Sequence, residues 1–104
     1  MSRQPGTDKK GDPFSAEIIE SVWKKGKEIP DFPSNVWRWD ICGMIMKKTE
    51  YGNRQSDYGW EVDHINPVSN NGDDNITNLQ PLNWKNNTDK WDKVNWYCPK
   101  LEKD

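Results

Sequence analysis

The only histidine of this 104-residue chain, His64, directly follows an aspartate, Asp63. Imidazole titrates near neutral pH and can act as a base, and a carboxylate beside it can bear on the same chemistry. Adjacent strand residues point to opposite faces unless the strand ends or bulges there, so taken alone the pair specifies no activity. Asn78 stands just before Leu79 and by itself reads as a residue that begins a strand after a turn. Asn87 lies between Trp84 and Trp91 at helical spacing, on what should be an apolar stripe. An amide buried there without partners costs about 1–3 kcal/mol, so Asn87 either bonds across the core or coordinates something. Cys42 and Cys98 belong to no CxxC pair, which excludes a zinc ribbon or a redox motif built on them. They read as two reduced packing thiols, with a disulfide as the alternative.

These groups need elements to hold them. Residues 1–11 are polar and aperiodic and read as a flexible tail outside the fold, leaving residues 12–104 as a single domain. Asp12 followed by Pro13 has the form of a helix cap, and Phe14, Ile18 and Val22 recur every four residues, which predicts a helix from about Pro13 to Lys25. Gly26, Pro30 and Pro33 end it and enforce an irregular connection. Val36–Ile41 and Met44–Thr49 read as strands around a turn at Gly43, and Tyr51-Gly52-Asn53 has turn composition. Tyr58–Ile65 alternates Trp60 and Val62 with Glu61 and Asp63, the pattern of a half-buried strand whose end carries His64. Asn66–Asn75 is a polar loop, Leu79–Leu82 a brief strand, and Asn83 to about Val94 a helix with Trp84, Trp91 and Val94 in one stripe. The fold class is α+β, a small domain with an N-terminal helix. Only 32% of residues are hydrophobic, so Trp60, Trp84 and Trp91 are expected in the core rather than as base-stacking platforms.

The ordered set WEVDHINP at residues 60–67, then Gly72, NLQPL at 78–82, Asn87 and Lys90 resembles the HNH nuclease family. The lead-in YGNRQSDYGW at 51–60 resembles one HNH subgroup. The resemblance covers Tyr58 to Lys90 and implies a C-terminal ββα-metal unit, residues 58–94, in which two strands and a helix surround one cation. It further implies that Asp63 and Asn87 are metal ligands, that His64 is the general base activating water, and that Asn78 helps orient that base. Lys90, one turn beyond Asn87, could reach a substrate phosphate or be a solvated lysine. Glu61 shares the strand face of Asp63 and reads as exposed, with a supporting place behind the metal ligands as the alternative. A carboxylate and an amide oxygen suit Mg²⁺ or Mn²⁺ better than Zn²⁺. Zinc-stapled relatives carry CxxC pairs where this chain has Asn83 and Asn86, so no structural zinc is expected, and Asn87 stands where many relatives carry His.

Charge pulls the other way. Fifteen Lys and Arg against seventeen Asp and Glu give a net charge of -2, and no cation occurs between Arg54 and Lys85 while five carboxylates do. Such a site attracts a divalent ion but repels a polyanion, so phosphate contacts must come from cations gathered elsewhere in the fold. A protein partner or a homo-oligomer could supply extra positive charge. No apolar run approaches the roughly 20 residues needed to cross a bilayer, and no secretory signal opens the sequence, so a cytoplasmic protein without membrane contact is expected. The reading is a metal-dependent endonuclease acting on nucleic acid, DNA before RNA. Its rival is a non-catalytic module that binds nucleic acid or protein and keeps the ββα shape; an antibacterial toxin nuclease is a third reading, weakened by the missing export signal.

Overall fold

The structure, a computed structural model, describes residues 4–99. Helix α1 runs over Ala16–Trp23, with Ser15 as its cap: the Ser15 hydroxyl oxygen accepts from the Ile18 amide at 3.2 Å. The helix is therefore shorter than the predicted Pro13–Lys25. Asp12 and Pro13 serve a different purpose, because the Asp12 carbonyl accepts from the Asp8 amide at 2.8 Å and Pro13 bridges Thr7, closing a loop ahead of α1. That loop lies in the sequence expected to be a tail, of which residues 1–3 fall outside the described residues. Its folding follows from contacts made far along the chain, which local polarity does not report.

Strands β1 (Lys27–Glu28), β2 (Trp37–Trp39) and β3 (Ile45–Lys47) form one antiparallel sheet in that order. Gly43, at φ 82°, makes the β2–β3 turn as its composition predicts. A second antiparallel pair, β4 (Trp60–His64) and β5 (Leu79–Asn83), runs straight into α2 (Trp84–Lys90), giving a β-β-α sequence of elements within an α+β fold. The predicted helix to Val94 stops early, because Trp91 leaves helical geometry at φ 51°.

The core is thin and built on indole rings. Val22 and Trp23 of α1 meet Met46, Trp60, Val62 and Leu79, and Trp60 lies 5.1 Å from Trp23 and 4.8 Å from Tyr51, centroid to centroid. Trp84 is half-buried, but Trp91 is 64% exposed and is not the core residue the stripe suggested, since the helix that would have turned it inward has already ended. Strand β4 departs from the half-buried pattern as well. All five of its residues are buried, one face by the core and the other by α2 and Arg54, so Glu61 is interior rather than exposed.

Cys42 and Cys98 form a disulfide, correcting the expectation of two free thiols. The turn after β2 and the segment after α2 bring their Cα atoms within 5.4 Å, a proximity that spacing along the chain cannot reveal. Disulfides persist in oxidising compartments and are rare in the cytosol, so this bond lends no support to the expected cytoplasmic setting. Among the described residues no helix is long and apolar enough to cross a membrane.

Candidate functional site

His64 ends β4, and its Nε2 lies 2.7 Å from Oδ1 of Asp74. Asp74 sits in the 66–78 loop, which is shaped at both ends. Gly72 must lack a side chain, because a Cβ there would fall 1.8 Å from the Asn66 carbonyl oxygen. Asn78 clamps the loop: its Oδ1 accepts from the Asn66 amide at 2.8 Å, and its Nδ2 donates to the carbonyls of Asn66 at 3.1 Å and Asp73 at 2.9 Å. Asn78 thus makes no hydrogen bond to the imidazole itself; it holds the loop that sets Asp74 against the ring. The Lys9 amide completes the placement by donating to both Asp74 oxygens, at 3.1 and 3.3 Å. Phe14 packs on the imidazole at 5.8 Å between centroids. The His64 side chain is only 2% exposed, and among the described residues its ring makes no hydrogen bond other than the one to Asp74.

Asp63 faces its cross-strand partner Gln80, whose amide donates to Oδ2 at 2.9 Å. The Lys90 ammonium lies 3.2 Å from Oδ1 of Asp63 and donates to the His64 carbonyl at 2.8 Å. Burial holds the Asp63 carboxyl above the usual carboxylate range, with Lys90 and Gln80 pulling in the opposite direction without cancelling it. Lys90 is buried along the seam between α2 and the strand pair, so in this structure it is not a solvated lysine, and its ammonium is engaged by Asp63 and the His64 carbonyl.

Asn87 donates Nδ2 to Oε1 of Glu61 at 2.7 Å, which leaves its amide oxygen outside that bond. Arg54 grips the same carboxylate with two bonds, Nε to Oε2 at 2.7 Å and Nη2 to Oε1 at 2.8 Å. The Glu61 carboxylate raises the pKa of Arg54 further, and the guanidinium lies 5.7 Å from the Trp84 ring.

Asp63, His64, Asn87 and Lys90 all line one open cleft of about 350 Å³, together with Arg54 and Trp91. Asn78 does not line it. The structure therefore brings together four of the five residues singled out by sequence, and adds Asp74, Glu61 and Arg54. Strand alternation pointed to Glu61, but nothing in local pattern marked Asp74 or Arg54. Among the described residues no three His, Cys, Asp or Glu side chains converge on a common metal position. The donors that line the cleft, the Asp63 carboxylate and the Asn87 amide, are oxygen ligands of the type Mg²⁺ or Mn²⁺ takes, but Lys90 holds Oδ1 of Asp63 and Gln80 holds Oδ2, so a cation would have to displace at least one of them.

A family model described as HNH endonuclease matches residues 42–93, a span that begins at Cys42, contains β4, β5 and α2, and includes every residue of the cleft discussed above. No curated protein and no solved structure matches the chain.

Proposed function

Because the chain belongs to the HNH endonuclease family, we propose that it hydrolyses phosphodiester bonds of nucleic acid, DNA before RNA, with Mg²⁺ or Mn²⁺ as cofactor. The observation that carries this reading is that Asp74 engages Nε2 of His64 while His64, Asp63 and Asn87 line the same cleft. A carboxylate can only accept, so in the neutral ring Nε2 carries the proton and Nδ1 the lone pair. In this reading Nδ1 takes a proton from a water that attacks phosphorus, the bond from phosphorus to the leaving oxygen breaks, and Asp74 stabilises the imidazolium formed. General-base catalysis of this kind contributes about 10²–10⁴-fold.

Asp63 and Asn87 would hold the cation, which when bound stabilises negative charge developing on the phosphate and leaving oxygen. Asn78 acts at one remove, through the loop that aims Asp74. Lys90, assigned to substrate binding, is engaged by Asp63 and the His64 carbonyl, so a phosphate would compete with both for its ammonium.

The test is incubation of supercoiled plasmid with the protein and Mg²⁺ or Mn²⁺, then with EDTA, beside the His64→Ala variant. Metal-dependent nicking that His64→Ala abolishes is expected. Cleavage retained by His64→Ala removes the mechanism, and metal-indifferent DNA binding without cleavage marks the non-catalytic module instead.

A further inference from the structure

The cleft is poor in unengaged positive charge. Of the described residues lining it, Arg54 is tied twice to Glu61 and Lys90 is paired with Asp63, so both cations are already matched by carboxylates. A phosphate backbone gains little electrostatic attraction there, and a net charge of -2 adds none. Within the cleft, affinity for a strand must then draw on something other than charge.

The cleft does offer an aromatic face. Trp91 lies on it and is 64% exposed. None of the ring and cation contacts among the described residues involves its indole, although Trp23, Trp37, Trp39, Trp60 and Trp84 all make such contacts. Its backbone sits at φ 51°, a region that bulky residues rarely adopt, and this conformation is what takes the indole off the buried stripe of α2. The chain thus accepts backbone strain at the one residue that carries a large, flat, solvent-facing ring beside His64.

We propose that Trp91 is a stacking platform for an unpaired base of the substrate, adjacent to the phosphodiester in the cleft, so that single-stranded or locally unpaired nucleic acid is the preferred substrate. The inference rests on the nuclease reading of the cleft. A base inside a duplex has both faces covered by its neighbours, so an indole engages only a base that has left the stack. Stacking is also indifferent to base identity, which gives this site strand preference without sequence preference.

The test is fluorescence anisotropy in EDTA with three labelled probes: a short DNA strand, its duplex, and a strand of equal length lacking bases. The wild-type protein should bind the strand more tightly than the duplex. Trp91→Ala should weaken strand binding about tenfold, Trp91→Phe should retain most of it, and neither should change the weaker binding of the baseless strand. Because Trp91 is exposed, both variants should melt with the wild type. Equal losses on the base-bearing and baseless strands, no loss on either, or preference for duplex overturns the proposal. Cleavage of the same base-bearing strand and of supercoiled plasmid is measured separately with Mn²⁺: absence of both, with Trp91-dependent strand binding intact, sinks the catalytic reading and leaves the stacking site standing.

Discussion

Asn86 donates its side-chain amide to Asp40 at 2.8 Å, with both groups buried. The same carboxylate oxygen accepts the Asn83 amide at 3.0 Å, while the other accepts the amides of Cys42 and Met44, each at 2.9 Å. Asn83 adds two bonds of its own, to the carbonyls of Ile45 and Asp57 at 2.9 Å. One carboxyl therefore joins the β2–β3 turn to the first turn of the helix that carries Asn87 and Lys90. Asn83 and Asn86 thus tie the start of α2 to that turn through hydrogen bonds.

Replacing Asp40 tests that seam. Asp40→Ala strips partners from four donors at once, two of them in the interior, and should cost about 3–5 kcal/mol in urea unfolding. The Asp40→Asn variant keeps one acceptor and should cost less. If the seam owes its strength to these bonds, a strong chelator should leave the melting temperature of the wild-type protein unchanged.

Asp74 should matter only through His64. Asp74→Ala is expected to lower kcat for plasmid cleavage by about 10²–10⁴-fold, the range of a general base that has lost its orientation and its counter-charge. In the His64→Ala background the same change should cost nothing further. A second, independent loss in that background would show that Asp74 supports the fold and not the base.

The raised pKa of Asp63 gives cation binding a pH dependence. Protons compete for the carboxylate up to a higher pH than at an ordinary aspartate, so Mn²⁺ affinity, read by calorimetry, should begin to fall at a higher pH than for an ordinary aspartate ligand and be lost in Asp63→Asn. The effect on folding has the opposite sign. A folded-state pKa above the unfolded one means that Asp63 favours the fold most below the ordinary value of 3.8, and that this contribution disappears as pH rises through the raised value.

The disulfide closes a loop with a sequence separation of 56, for which chain-entropy reasoning gives about 4 kcal/mol at 25 °C. Cys42→Ser with Cys98→Ser should lower unfolding stability by up to that amount. Dithiothreitol should lower the wild-type melting temperature and leave the double variant where it is.

The elements of the site were readable because they are consecutive: an alternating strand, a polar loop, a second strand and a helix; that Asp63, His64 and Asn87 belong together came from the family resemblance, since alternation by itself sets Asp63 and His64 on opposite faces. Asp74 escaped because it reaches His64 from a loop without periodicity, through a conformation set by Gly72 and Asn78. Lys90 and Arg54 were legible as charges but not as partners, since each is neutralised by a residue on another element. Trp91 was placed inward by assuming that α2 continues, and a single backbone turn at that residue reversed its exposure. The helix cap was misread for a related reason: Asp12-Pro13 has the right composition, but its groups are engaged by Asp8 and Thr7, and Ser15 takes the role.

Pro5 and Gly6 form part of the cleft wall, and Lys9 holds Asp74 through its backbone. Residues 5–9 thereby become part of the surroundings in which the proposed chemistry would take place. An affinity tag fused to Met1 would emerge within a few residues of that wall, so recombinant protein tagged there should be assayed only after the tag has been removed.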